Sequence, residues 1–351
     1  MWKDYIRKVV PYTPGEQPKN RKVIKLNTNE NPYPPTPKVA KALEDFNKDC
    51  LRLYPDPTAS ALTKTLADYH GVDEDEVFVG VGSDDVIAMA FLTFFNSDKP
   101  ILFPDITYSF YSVWADLYRI PYERPALDKD FKLVKEDYYK ENGGIIFPNP
   151  NAPTSLAVSL DFIEDILKHN QDSLVIVDEA YIDFGGDSAL ALLNKYENLL
   201  VIRTFSKSRS MAGMRIGYAI GNKFLIKALN DVKYSYNSYT MNQTSLVFGK
   251  ESVLDDNYFK ETVDKIVATR EHAKKRFEEL GFTCLDSKAN FLFVTHKCVP
   301  AKQIFTQLKE NGIFVRYFDS PRIDNYLRVT IGTDEEMEAL YKFLERYVVN
   351  A

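Results

Sequence analysis

The chain has 351 residues, 45% of them hydrophobic and 27% charged, and a formal net charge of −6. That length suits two domains, the composition excludes disordered, collagen-like and coiled-coil chains, and the acidic balance disfavours a nucleic-acid binder or a surface for anionic lipid. No window reaches the ~18–20 uncharged apolar residues of a membrane span, and Cys50, Cys284 and Cys298 are too few and too scattered for a disulfide framework or a zinc site, so the expected setting is the reducing cytoplasm and the expected ligand is small.

Residues 1–35 end in Asn29-Glu30-Asn31-Pro32-Tyr33-Pro34-Pro35, where prolines block both helix and central strand, and they read as an extended arm. Helices are predicted over 37–46, with proline at the start, and over 59–71, closing on a glycine. Apolar runs follow at 77–81, 100–103, 144–147, 174–177, 199–202 and 216–220, separated mostly by helical spacings such as 84–95 and 160–168. This alternation predicts an α/β domain over 36–250, a mostly parallel sheet flanked by helices. Residues 251–351 read as a smaller α+β domain: a long amphipathic helix over 256–280, strands over 291–294, 313–316 and 326–331, and helices over 301–310 and 334–348. Ligands of such sheets bind beyond the carboxyl ends of the strands, so the segments after those runs carry the candidate chemistry.

Thr204-Phe205-Ser206-Lys207-Ser208 follows the run at 199–202, and Arg215 comes eight residues after Lys207. A lysine in a hydroxyl-rich turn with an arginine close behind suits a Schiff-base amine beside an anchored phosphate; alone, the same residues also read as a surface lysine and a salt-bridged arginine. Asp178 ends the run at 174–177, with Tyr181 three residues on. Its carboxylate could pair with a protonated pyridine nitrogen, or with Glu179 could bind magnesium, although no phosphate-binding G-x-x-x-x-G-K-[ST] loop accompanies it. Gly80-Val81-Gly82-Ser83-Asp84-Asp85 closes a strand and opens a helix whose first amides are free to hold a phosphate. Tyr108, after the run at 101–103, offers a flat face to an aromatic ring or simply packs.

In order and spacing these segments resemble the fold-type I enzymes of pyridoxal phosphate. With Leu26-Asn27-Thr28-Asn29-Glu30-Asn31-Pro32, Arg52-Leu53-Tyr54-Pro55, Asn149-Pro150-Asn151-Ala152-Pro153-Thr154 and Leu327-Arg328-Val329-Thr330-Ile331-Gly332-Thr333, the chain resembles the histidinol-phosphate aminotransferases from about Leu26 to the last helix. The resemblance implies pyridoxal 5'-phosphate as cofactor, Lys207 as Schiff-base lysine and proton carrier, Asp178 as partner of the ring nitrogen, Tyr108 as stacking ring and Tyr181 as donor to the ring oxygen. Ser83, Asp84, Ser206 and Arg215 would surround the cofactor's phosphate, Asp85 and Thr204 would belong to the same cofactor site, and Tyr54 would reach the phosphate from the other subunit of a homodimer. Asn29, Tyr33, Asn290, Arg316 and Arg328 are the expected substrate contacts.

The sequence departs from the family at Ala152, where an asparagine commonly meets the ring oxygen, so Asn151 or Asn149 is expected to take that contact; Ser155 replaces a glycine. The implied reaction passes an amino group between glutamate and imidazole acetol phosphate. The alternatives are an aromatic amino acid aminotransferase, a threonine-phosphate decarboxylase and, from another class, a non-catalytic regulatory protein that keeps the cofactor. His70, His169, His272 and His296 have no paired spacing, and no metal is expected.

Overall fold

The computed structural model describes residues 1–18 and 23–348; residues 19–22 of the expected arm and 349–351 at the end of the expected second domain lie outside the described residues. The strands are β1 (Ile24–Lys25), β2 (Val77–Gly80), β3 (Ile101–Leu102), β4 (Tyr122–Glu123), β5 (Ile145–Pro148), β6 (Val175–Asp178), β7 (Leu199–Thr204), β8 (Gly217–Gly221), β9 (Phe282–Cys284), β10 (Phe291–His296), β11 (Ile313–Phe314), β12 (Arg316–Tyr317) and β13 (Leu327–Thr330). The helices are α1 (Pro37–Glu44), α2 (Ser60–His70), α3 (Gly82–Phe94), α4 (Phe110–Tyr118), α5 (Leu160–His169), α6 (Lys223–Tyr236), α7 (Gln243–Val253), α8 (Asp256–Glu279), α9 (Ala301–Glu310) and α10 (Asp334–Val348).

Seven strands form the larger sheet in the order β2-β8-β7-β6-β5-β3-β4. All neighbours are parallel except β8, which runs antiparallel between β2 and β7. Alternation along the central strands divides the core cleanly. Ile146, Ile176, Leu200 and Ile202 pack with residues of α3, α4 and α6, whereas Ile145, Phe147, Val175, Val177, Leu199 and Val201 pack with those of α5. Each fully buried aliphatic side chain contributes roughly 1.5–3 kcal/mol of transfer free energy, and both faces are covered, which is why these strands read as continuous apolar runs.

The second sheet, in the order β12-β13-β10-β9, is antiparallel and shares a core with α8, α9 and α10. The strand expected over 313–316 is divided at Val315: β11 pairs in parallel with β1 of the arm, and β12 pairs with β13. The arm is therefore not simply extended: with β11 it forms a separate two-stranded sheet, and just after β1 its Leu26 carbonyl accepts the Thr330 amide of β13 at 3.0 Å. Helices α4, α6 and α7 add to the helices expected from the sequence. The aromatic run that opens α4 has strand-like composition, but Asn222 and Asn242 cap α6 and α7 through amides at 2.9 Å and 2.8 Å, an N-terminal signal present in the sequence. Among the described residues no helix is long and apolar enough to cross a membrane.

Candidate active site

The carboxyl ends of β2, β6 and β7 converge on one edge of the larger sheet. Where β2 turns into α3, Gly82 has φ +82°, and a Cβ there would lie 2.5 Å from Arg215 Nη2, so only glycine lets the guanidinium approach the helix start. Arg215, itself left-handed at φ +52°, donates to Asp84 Oδ2 at 3.1 Å and Ser206 Oγ at 3.3 Å. Thr204 Oγ1 lies 3.0 Å from Ser206 Oγ. The free amides of α3, two hydroxyls and a guanidinium thus form one cup of donors, the chemistry a phosphate requires. Asp84 serves that cup indirectly: its carboxylate has no donor for an anion and instead orients Arg215 and the Tyr108 hydroxyl, which donates to it at 2.7 Å. Asp85 is not brought into the cup. It turns the other way and accepts the Val81 amide at 2.9 Å, and burial raises its pKa.

Asp178, at the end of β6, is 4% exposed. It accepts from Tyr111 Oη at 2.8 Å and from the Ala180 amide at 3.2 Å. Burial pushes its pKa up to about 6 against the pull of those two donors. A buried carboxylate with no salt bridge among the described residues is costly unless a cation reaches it, and a protonated pyridine ring is such a cation. Lys207 Nζ donates to the Thr28 carbonyl at 3.1 Å and lies 5.7 Å from the centre of the Tyr181 ring. Asn31 of the arm donates to the carbonyls of Lys207 and Ser208 at 3.0 Å and 3.1 Å, fixing the backbone that carries the lysine. The cup, the lone acid and the lysine fit pyridoxal phosphate.

A cavity of about 170 Å³ opens beside Lys207, lined by Tyr12, Thr28, Asn29, Tyr108, Ala152, Tyr181, Arg316, Phe318 and Arg328. Arg316 and Arg328 are direct cross-strand partners of β12 and β13, so their side chains share a face. Both guanidinium groups flank Phe318, at 5.4 Å and 5.6 Å, and neither meets a carboxylate among the described residues. Arg328 donates to Asn27 O at 2.9 Å, while its Nε is buried without a partner among the described residues. Burial, reinforced by Arg316, lowers the Arg328 pKa.

Several expected contacts are spent elsewhere. Asn151 donates to Ile106 O at 3.0 Å and Thr154 Oγ1 at 2.9 Å and accepts from Thr107 at 3.0 Å, and Asn149 is bonded to both the carbonyl and the amide of Val158. Neither asparagine is free to replace the one absent at Ala152. Tyr33 packs against the core of the second sheet, beneath Lys265, and does not line the cavity. Asn29 lines it, but its side-chain amide bonds Thr330 and Tyr181; Asn290 donates to Asn29 O at 3.0 Å and leaves its own Oδ1 buried without a partner among the described residues. Tyr54 lies outside this cavity, 82% exposed, with its ring stacked on Tyr239 at 4.6 Å. Ser155 holds φ +68°, the reason glycine is favoured at that turn.

Two further residues, Tyr111 and Tyr12, reach the site. Tyr111 is signalled by its position three residues after Tyr108, one helical turn that brings both onto the site. Tyr12 stacks on Phe110 at 4.2 Å and lies near both arginines, but the proline-rich arm around it has no periodicity from which this placement could be read.

Residues 21–344 match the family model of the class I and II aminotransferases. The chain belongs to that family. It is 52% identical over 349 residues to the histidinol-phosphate aminotransferase of Lactococcus lactis subsp. cremoris strain MG1363, covering 99% of this chain and 98% of that one. It is 50% identical over 349 residues to the histidinol-phosphate aminotransferase of Clostridium beijerinckii, covering 99% and 97%. The crystal structure of histidinol-phosphate aminotransferase from Sinorhizobium meliloti in complex with pyridoxal-5'-phosphate superposes with a TM-score of 0.85 at 22% identity, over 94% of this chain and 92% of that one, which shows the shared aminotransferase fold. The fold-type I α/β architecture expected from the sequence is the one observed.

Proposed function

We propose that this chain is a pyridoxal-phosphate-dependent aminotransferase that interconverts histidinol phosphate and 2-oxoglutarate with imidazole acetol phosphate and glutamate. The observation that carries the substrate choice is the Arg316–Arg328 pair, two cations held on one face of the cavity with no carboxylate among the described residues to neutralise them. Two guanidinium groups match a phosphate dianion, and in the other half-reaction a carboxylate of glutamate, better than the single carboxylate of an aromatic amino acid. Identity of 50–52% with named histidinol-phosphate aminotransferases supports the same reading.

When bound, the cofactor supplies a carbonyl carbon to which amines attach and a ring that draws electrons from it. The chain's residues supply the rest. Lys207 Nζ would be the amine that holds the cofactor and, when free, the base and acid that moves a proton from and to the substrate α-carbon. Asp178 keeps the ring nitrogen protonated, and Tyr111 and the Ala180 amide hold its carboxylate in place. Tyr108 would cover the ring, Tyr181 would donate to its oxygen, and Arg215, Ser206, Thr204 and the amides from Gly82 would hold its phosphate.

The division into an arm at 1–35, a cofactor-binding domain at 36–250 and a small domain at 251–351 belongs to this reading, supported by the separate cores of the two sheets. A homodimer, with Tyr54 completing the partner's phosphate cup, is supported by the exposure of Leu51, Leu53 and Tyr54 on one turn. A cytoplasmic location is supported by three free cysteines. The test is steady-state turnover with histidinol phosphate, phenylalanine and threonine phosphate. The reading requires the highest kcat/KM with histidinol phosphate and no release of carbon dioxide from threonine phosphate; equal or better use of phenylalanine would assign the enzyme to aromatic amino acids instead.

A further inference from the structure

We infer that Asn29 is a positioning residue that aims the Tyr181 hydroxyl proton at the cofactor's ring oxygen, so that Tyr181 alone makes the contact for which Ala152 has no side-chain donor. The inference rests on the assignment of Tyr181 to that oxygen.

The hydrogen-bond directions follow from donor counting. The Asn29 amide N–H is 3.0 Å from Thr330 Oγ1, so the threonine oxygen accepts there. Thr330's one hydroxyl hydrogen is then directed to Asn29 Oδ1, also at 3.0 Å. With Oδ1 fixed against Thr330, the other end of the side-chain amide, Nδ2, faces Tyr181 Oη at 2.9 Å and donates to it. The Tyr181 oxygen therefore accepts from Asn29, and its own hydrogen has no acceptor among the described residues. It is left for the cavity that Tyr181, Asn29 and Ala152 line together. Asn29 and Thr330 are buried, at 1% and 2% exposure, so water does not compete for these bonds. Asn29 holds φ +57°, a conformation that asparagine tolerates better than most residues.

The chain solves a local problem in this way. Asn151 and Asn149 are committed to their own loop, and the methyl of Ala152 offers no donor. A second-sheet threonine, through an arm asparagine, instead sets the polarity of one tyrosine on the larger sheet.

Asn29→Asp tests this directly. The aspartate keeps the size, tolerates the left-handed backbone and still accepts from Thr330, but it replaces the Nδ2 donor with an acceptor and draws the Tyr181 proton away from the cavity. The dissociation constant of the apoenzyme for pyridoxal phosphate, read by quenching of protein fluorescence, should rise about tenfold or more in Asn29→Asp and in Tyr181→Phe. The absorption maximum of the bound cofactor should move in the same direction in both. The double variant should bind no worse than Tyr181→Phe, because the aspartate acts only through the phenol, and Ala152→Asn should restore affinity in the Asn29→Asp background. Thr330→Val, which lets the Asn29 amide flip, should give a smaller loss of the same kind. Additive losses in the double variant, or wild-type affinity in Asn29→Asp beside a weakened Tyr181→Phe, would overturn the inference while leaving Tyr181 at the ring oxygen. Unchanged binding and absorbance in Tyr181→Phe would remove the underlying assignment as well.

Discussion

Arginines stand at both ends of the cavity region, and their surroundings are opposite. Arg215 is met by Asp84, Ser206 and the glycine-bare start of α3, so its charge is balanced and its guanidinium aimed before any ligand arrives. Arg316 and Arg328 face each other across two strands, share one aromatic ring and have no carboxylate among the described residues. Like charges directly opposed in an antiparallel pair destabilise the sheet by a few tenths to about 1 kcal/mol. One end is thus complete in the protein alone, as suits a group that stays through the reaction cycle. The other has no counter-charge among the described residues, which is what the proposed reading expects of a site for anionic substrates that come and go.

Removing the group between the two ends should have the largest effect. Lys207→Ala leaves both arginine sites intact, so pyridoxal phosphate should still bind, but borohydride should no longer fix it to the chain and turnover should fall by about 10⁴-fold or more. Transamination retained in that variant would break the assignment of the whole site.

The next effect belongs to the cofactor end and appears with pH. The Asp178 carboxyl is raised to about 6 by burial, against roughly 3.9 in an unfolded chain. The folded state therefore favours the protonated form; the associated stability is complete below about pH 4 and is lost as pH rises through about 6. For the apoenzyme, the stability advantage of wild type over Asp178→Asn should fall by about 2 kcal/mol between pH 4 and 7 in urea titrations. A difference that stays flat with pH would mean that the buried carboxyl is already balanced. Tyr111→Phe, which removes a bond to the carboxylate, should move the transition to higher pH.

The two ends should then part company on substitution. Arg328→Met should lower kcat/KM for histidinol phosphate by about 100-fold while raising the apoenzyme's unfolding free energy by about 0.5 kcal/mol, because the opposed charges are gone. Arg215→Met should weaken pyridoxal phosphate binding with no such gain, since it strips Asp84 of its cation. A stability loss in Arg328→Met would erase the contrast. The smallest effect is expected from Arg328→Lys, which keeps the charge but not the planar fork: a several-fold loss of kcat/KM with histidinol phosphate and glutamate alike.

Residues gathered at strand ends are legible in the chain order alone. Asp178, Lys207, Tyr108 and the Gly82 turn each follow an apolar run, and a parallel sheet brings the carboxyl ends of such runs to one edge, so local order is enough to gather them. Other placements depend on contacts that local pattern does not encode. Asp84 and Asp85 are neighbours, but about 100° of helical rotation sends one to Arg215 and the other to the Val81 amide. The run at 313–316 looks like one strand, yet pairing with the arm on one side and β13 on the other divides it and sets Arg316 opposite Arg328. Tyr12 and Asn29 reach the site only because the arm folds back, and Asn29 bonds a residue 301 positions away. A contact of that separation is fixed by register and by the few donors left unpaired when the two sheets meet, and neither condition leaves a periodic trace in the chain.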